Sequence, residues 1–114
     1  MENCLFCKII KGDIPSQKVY EDEYAYAFND IEPQAPVHVI IVPKIHIESA
    51  NDINQENSLY VAKIFEAAAK IASELGLSEE GFRIVNNCGE LGGQTVMHIH
   101  FHLMGKRQFM WPAG

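Results

Sequence analysis

The chain has 114 residues, enough for one domain with a real core and too few for two, and we expect a single domain over residues 1–114. Hydrophobic residues make up 47% and charged residues 21%, the balance of an ordinary soluble globular protein, and no apolar run approaches the ~20 residues of a membrane helix. The formal net charge is −6 and the nine basic residues are scattered, which argues against DNA or long RNA as a partner but not against a mononucleotide held by a few hydrogen bonds.

Met1-Glu2-Asn3-Cys4 lacks the basic-then-apolar layout of a secretory leader, so a cytoplasmic location is expected. The three cysteines are Cys4, Cys7 and Cys88. In a reducing compartment a structural disulfide is not expected. Cys4 and Cys7 form a CxxC that raises the question of a metal, whereas Cys88 reads as a small loop residue.

Residues 4–11 predict a short helix stopped by Gly12 and Pro15. Val19 and Tyr20 open an extended stretch, and Glu21-Asp22-Glu23 reads as a solvated turn. Residues 24–29 (YAYAFN) alternate aromatic with small, as a strand does. Pro33 and Pro36 bracket a loop, and the β-branched run 37–42 predicts a buried strand ending at Pro43. Asp52 or Asn54 is expected to cap a helix that runs to Leu75 and stops at Gly76. Its apolar face would comprise Val61, Ile64, Phe65, Ala68, Ile71, Ala72 and Leu75. Residues 82–86 predict a strand, 87–95 a loop and 96–104 the last strand. The expected fold is α+β: an antiparallel sheet of about five strands with one long helix packed on it.

Chemistry concentrates in His98-Ile99-His100-Phe101-His102. On a strand, alternate side chains share a face, so the three imidazoles would stand in a row while Ile99, Phe101 and Leu103 point to the core. Histidine titrates near neutrality, so neighbouring rings can divide nucleophilic attack, proton donation and charge stabilisation among themselves. Metal binding and a purely structural role are the alternatives. The preceding loop supplies Gly89, Gly92 and Gly93, which let backbone N–H groups approach a ligand, and Gln94 and Thr95 as side-chain donors. Residues 87–105 contain no Lys or Arg, so a phosphate here would be held by imidazole and neutral donors.

HIHFHLM resembles the H-φ-H-φ-H-φ-φ signature (φ apolar) of the histidine triad (HIT) superfamily. CKIIKGDIPSQKVYEDE, FNDIEPQAPVHVIIVPKIHI, GGQTVMHIHFHLMG and WPAG extend the resemblance to its nucleotide-binding branch, from Cys4 to Gly114. The resemblance implies a homodimeric hydrolase that cleaves the P–N bond of purine nucleoside 5′-phosphoramidates through a covalent nucleotidyl-histidine. It makes His100 the nucleophile, His102 the α-phosphate contact, His98 the support of His100, and His46 the histidine that completes the network. Asp30 would bind the ribose hydroxyls and Ile31 the base. Asn87, Gly93, Gln94 and Thr95 would lie on the phosphate side, and Trp111 would reach the partner subunit's site. His38 matches a further recurrent histidine, expected to be structural.

The CxxC adds a second implication. Related proteins carrying it bind zinc, which here would be held by Cys4, Cys7, His46 and His98 as a closed tetrahedral structural site. No Mg²⁺ is expected, because the histidine segment has no carboxylate pair. A neighbouring strand's carbonyl is expected to fix the tautomer of His100. Two other readings remain: a dinucleoside polyphosphate hydrolase, and a nucleotide- or zinc-binding regulatory module. A redox role for the CxxC is disfavoured, since no βαβ pattern surrounds it.

Overall fold

The computed structural model describes residues 3–114; Met1 and Glu2, part of the N-terminal stretch read above, lie outside the described residues. Five antiparallel strands form one sheet: β1 (Lys18–Glu21), β2 (Ala25–Asn29), β3 (Val37–Pro43), β4 (Phe82–Val85) and β5 (Phe101–Gly105), in the spatial order β1-β2-β3-β5-β4. Two helices accompany it, α1 (Leu5–Lys11) and α2 (Ser58–Glu74), with a single 3₁₀ turn at Ala50–Asp52. The α+β expectation therefore holds, with a second, short helix beside the long one.

The period-2 alternation of the strands distributes side chains to two different cores. Ala25, Ala27, Val39, Ile41, Phe101 and Leu103 meet Ile64, Ala67, Ala68, Ile71 and Ala72 of α2. Tyr26, Phe28, Ile40 and Val42 point the other way, onto Phe6 and Ile9 of α1. β2 and β3 are thus covered on both faces, which is why they read as nearly continuous apolar runs. On β5, Ile40 pairs with His102 and His38 with Met104, so the histidines face the α1 side. The seven residues of α1 cover only part of that face, and the site lies at their margin.

Four expectations are corrected. α2 begins at Ser58, because Asn54 and Asn57 are occupied with each other: Asn54 Oδ1 accepts the Glu56 and Asn57 N–H groups, and Asn57 Oδ1 accepts the Asn54 N–H. Neither Asp52 nor Asn54 is its cap; Asp52 ends the 3₁₀ turn, and Asn57 stands at the cap position without a side-chain cap bond. The helix does stop as expected, with Gly76 in the left-handed region at φ 74°.

The buried stripe of α2 is Ile64, Ala67, Ala68, Ile71 and Ala72, while Phe65 and Leu75 sit at its exposed border; Phe65 still meets Phe101 edge-on, ring centroids 5.7 Å apart. The acidic turn is built rather than merely solvated. Glu21 closes β1 and pairs with Lys18 and Lys44, and Asp22 Oδ1 accepts the N–H groups of Tyr24 and Ala25 while its Oδ2 accepts the Tyr20 hydroxyl.

The fourth correction touches the site. The last strand covers only Phe101–Gly105, not 96–104. β3 ends at Pro43, which has no N–H to offer, and β4 ends at Val85. Residues 96–100 are held by single bonds instead: Ile99 N–H on the Ile47 carbonyl (2.7 Å) and Asn86 Nδ2–H on the His100 carbonyl (2.9 Å). The alternation survives without the ladder, because Ile99 is packed in the α2-side core while Phe6 meets the rings of both His98 and His100 edge-on.

Candidate active site and metal centre

The geometry fixes the proton position on His38, His98, His100 and His102. His98 is fully buried and its Nε2–H donates to the Pro43 carbonyl at 3.1 Å, which leaves a lone pair on Nδ1. His100 donates its Nδ1–H to the His98 carbonyl at 2.9 Å, leaving Nε2 unprotonated. The carbonyl that sets the tautomer of His100 therefore comes from its own segment, two residues back, and not from a neighbouring strand.

His102 is set by a longer chain. The Gln34 N–H donates to His38 Nδ1 at 3.0 Å, so neutral His38 carries its proton on Nε2. That Nε2–H donates to His102 Nδ1 at 2.8 Å, with Asp30 Oδ2 3.3 Å from the same nitrogen. His102 is left with Nε2–H as a donor. The rings of His100 and His102 are 5.1 Å apart, so a lone pair and an N–H donor stand side by side.

Burial keeps these rings neutral at physiological pH. Desolvation, with a smaller push from His100 and His38, lowers the His102 pKa to about 4. Desolvation likewise lowers His98 to about 4 and holds His100 and His38 below the usual imidazole value. A neutral His100 is the nucleophilic form.

On the other side of His100 lies a sulfur-rich cluster. His98 Nδ1 is 3.3 Å from Cys4 Sγ and 3.5 Å from Cys7 Sγ, and His46 Nδ1 is 3.6 Å from Cys7 Sγ. These four ligand atoms lie within 4.8 Å of one another. Two sulfurs and two imidazole nitrogens suit a tetrahedral divalent ion, and the Pro43 carbonyl behind His98 is the outer partner that aims a ligating ring. Without a cation, burial and the neighbouring Cys4 push the Cys7 thiol up to about 11. Asp30, His38 and His102 also come within 4.8 Å of one another, but His38 has committed its lone pair to Gln34 and keeps its proton on the nitrogen that faces the cluster. That second group is a proton-holding chain rather than a metal site.

A HIT domain family model matches residues 11–109. The chain belongs to the HIT domain family. The purine nucleoside phosphoramidase of Escherichia coli K12 is 45% identical to this HIT protein over 106 residues, 93% of this chain and 89% of that one. A HIT family hydrolase from Legionella pneumophila Philadelphia 1 superposes with a TM-score of 0.96 at 53% identity, over 98% of this chain and 100% of that one. A histidine triad protein from Clostridium difficile gives 0.91 at 48% identity, over 95% of each chain.

In this HIT domain the remaining expected residues fall into three groups. Asp30 is brought to His102 through His38, and its Oδ1 accepts the Glu32 N–H at 2.8 Å. His38, expected as framework, is thus in contact with the site. The glycine loop is held from within: Gln94 Oε1 accepts the Gly89 N–H, and Gln94 Nε2 donates to the Glu48 and Val96 carbonyls. Its buried amide is spent on loop shape, and Gly93 turns the chain at φ 82°. Gly92 is required by close approach, since a Cβ there would sit 2.3 Å from the Cys88 carbonyl oxygen.

Asn87 is half-buried, and Thr95 is exposed on a cavity of about 660 Å³ shared with Cys4, Leu5, His46, Glu48 and Met97. Ile31 and Trp111 are not gathered in; both are open to solvent, at 94% and 83% exposure. Sequence reasoning missed Asn86, which holds the His100 carbonyl, and Phe6, which shields two histidines. For the latter the only signal was the place of Phe6 inside the CxxC, beside Cys7. Among the described residues no helix is long and apolar enough to cross a membrane.

Proposed function

We propose that this HIT protein hydrolyses the P–N bond of purine nucleoside 5′-phosphoramidates, with His100 Nε2 as the nucleophile. The observation that carries the reading is the pairing of tautomers: an unprotonated Nε2 on His100 beside an N–H donor on His102, each set by a fixed partner. The likeness to the E. coli phosphoramidase supports the same substrate class.

His100 Nε2 attacks phosphorus in line and the P–N bond breaks. The His102 Nε2–H binds a phosphoryl oxygen, and the substrate's negative charge raises the proton affinity of that ring. A solvent proton taken up at His102 Nδ1 as substrate binds lets the ring pass its Nε2–H to the departing amine nitrogen, while His38 Nε2–H bonds Asp30 Oδ2, 3.3 Å away, instead of His102. Water then attacks the nucleotidyl-histidine, His102 Nε2 accepts its proton, the Nδ1 proton returns to solvent, and the nucleoside monophosphate leaves with His100 and His102 restored. Asp30 Oδ1, Asn87, Gly93, Thr95 and the Gln94-shaped loop are proposed to orient ribose and phosphate, and Ile31 to meet the base.

Zinc is the proposed ion for Cys4, Cys7, His46 and His98, where it would supply structure and no chemistry. It would seat α1 and keep His98 out of proton transfer. Exposed Trp111 suits a homodimer in which it reaches a second copy's site, and the cytoplasm suits the free thiols.

The test is hydrolysis of an adenosine 5′-phosphoramidate by wild type and His100→Ala, each with and without a chelator. Turnover lost in His100→Ala and little changed by brief chelation is expected. No turnover by wild type, with AMP still bound, would sink the phosphoramidase reading and favour a binding module or a dinucleoside polyphosphate substrate.

A further inference from the structure

The C-terminal segment touches the histidine chain through one exposed arginine. Arg107 sits over the Phe109 ring, its guanidinium carbon 4.1 Å from the centroid, and Arg83 sits over the same ring at 5.1 Å. Arg83 also donates to the Met110 carbonyl at 3.1 Å, which secures the segment to β4. From this stack Arg107 Nε–H reaches the Gln34 carbonyl at 2.8 Å.

Gln34 is the residue whose own N–H sets His38. It lies in the loop between Asp30 and β3, where Pro33 and Pro36 have no N–H to donate. Its side chain folds back onto the Glu32 carbonyl at 3.0 Å, a bond within the loop. The bond from Arg107 fixes residue 34 from outside the loop, at the end opposite the His38 contact. A guanidinium is planar by resonance, and an aromatic ring beneath it fixes the direction of its Nε–H, which the freely rotating ammonium of a lysine lacks.

We propose that Arg107 is a positioning residue for the phosphate-side histidine. Stacked on Phe109, it holds Gln34 so that the Gln34 N–H keeps His38 protonated on Nε2 and His102 protonated on Nε2. The inference rests on the reading of His102 as the donor to phosphate. It links the tail to the site of its own chain, whatever Trp111 does in a second copy. Loss of the tether frees residue 34, His38 exchanges between tautomers, and His102 presents its donor only part of the time.

The experiment records ¹⁵N–¹H correlations of the histidine rings near neutral pH, without substrate, for wild type, Arg107→Ala, Arg107→Lys and Phe109→Leu, with His102→Gln to assign the signal. In wild type, His102 should show one protonated Nε2 and one hydrogen-bonded, unprotonated Nδ1. Arg107→Ala should average these two signals and lower kcat about tenfold to a hundredfold, with a smaller change in KM. Arg107→Lys, which keeps a donor, should restore part of both readouts, and Phe109→Leu should fall between wild type and Arg107→Ala.

A wild-type His102 signature in Arg107→Ala would overturn the proposal, and so would averaging with unchanged kcat. The ring signals are read without turnover, so a protein that fails to cleave phosphoramidates would refute the proposed reaction without deciding the role of Arg107.

Discussion

His98 and His102 flank His100 on the same face, yet their rings are committed in opposite senses. His98 gives its Nε2–H to a backbone carbonyl and turns Nδ1 toward two sulfurs. His102 accepts on Nδ1 and keeps Nε2–H free. The residue type is identical and burial lowers both pKa values to about 4, so neither identity nor burial separates them. What separates them is the backbone group each ring system meets: the Pro43 carbonyl at one end, the Gln34 N–H relayed by His38 at the other. One end leaves a lone pair facing two sulfurs and the other an N–H donor.

Breaking the donor end should have the largest effect on catalysis. His102→Ala should reduce kcat by about a hundredfold to a thousandfold, the usual cost of removing one oxyanion donor, while Tm moves little. Steady-state kinetics beside a melting curve check this. Equal losses in both would show that the two ends are not specialised.

Breaking the ligand end should do the reverse. The double variant Cys4→Ser/Cys7→Ser should lose bound metal by elemental analysis and lower Tm by about 10 °C or more, with a smaller fractional loss of kcat. A wild type that purifies metal-free, with the same Tm as the variant, would show that no metal stabilises this end.

Acid sharpens the contrast within the donor end. His102 and His38 have folded pKa values below their unfolded values near 6.5, so between that pH and about 4 the unfolded chain binds protons that the folded chain does not. Stability should be level above about pH 7 and fall as the pH drops through this window. Urea midpoints at pH 7.5, 6 and 5 measure it, and His102→Gln should flatten part of the slope. A midpoint independent of pH would contradict the burial of these rings. The smallest effect is expected at the middle of the row: Asn86→Ala removes the bond to the His100 carbonyl and should cost about 1 kcal/mol, read by denaturant titration.

Where a pattern depends on side chains alone, the sequence was legible. The aromatic–small alternation of 24–29 and the β-branched run 37–42 became β2 and β3, Gly12 and Gly76 stopped their helices, and the three histidines took one face. The CxxC met the two histidines that the family resemblance assigned to it. What depends on which backbone group a side chain meets was hidden. Nothing in HIHFHLM says that residues 96–100 leave the ladder, because that follows from where β3 and β4 end. Nothing in PQAPVH says that a backbone N–H sets His38, and the arginine that holds Gln34 lies 73 positions away. The start of α2 was misjudged for a local reason of the same kind, since two asparagines satisfied each other before either could cap.

The placement of Cys4 has a consequence for how the chain assembles. Seven residues are too few for a helix to persist in water, so α1 depends on docking. Its anchor, His98, lies 94 positions further on. The segment is therefore translated before the surface that receives it exists. It must wait, unstructured and carrying two thiols, while the sheet forms behind it. Packing of Phe6 and Ile9 on Tyr26, Phe28, Ile40 and Val42 closes shorter loops, whereas the Cys4–His98 contact closes a long one and carries the larger entropic cost. Arrival of α1 would complete the site in one event, since the same helix brings Phe6 over His98 and His100, and an incompletely folded chain would display the histidines without their shield.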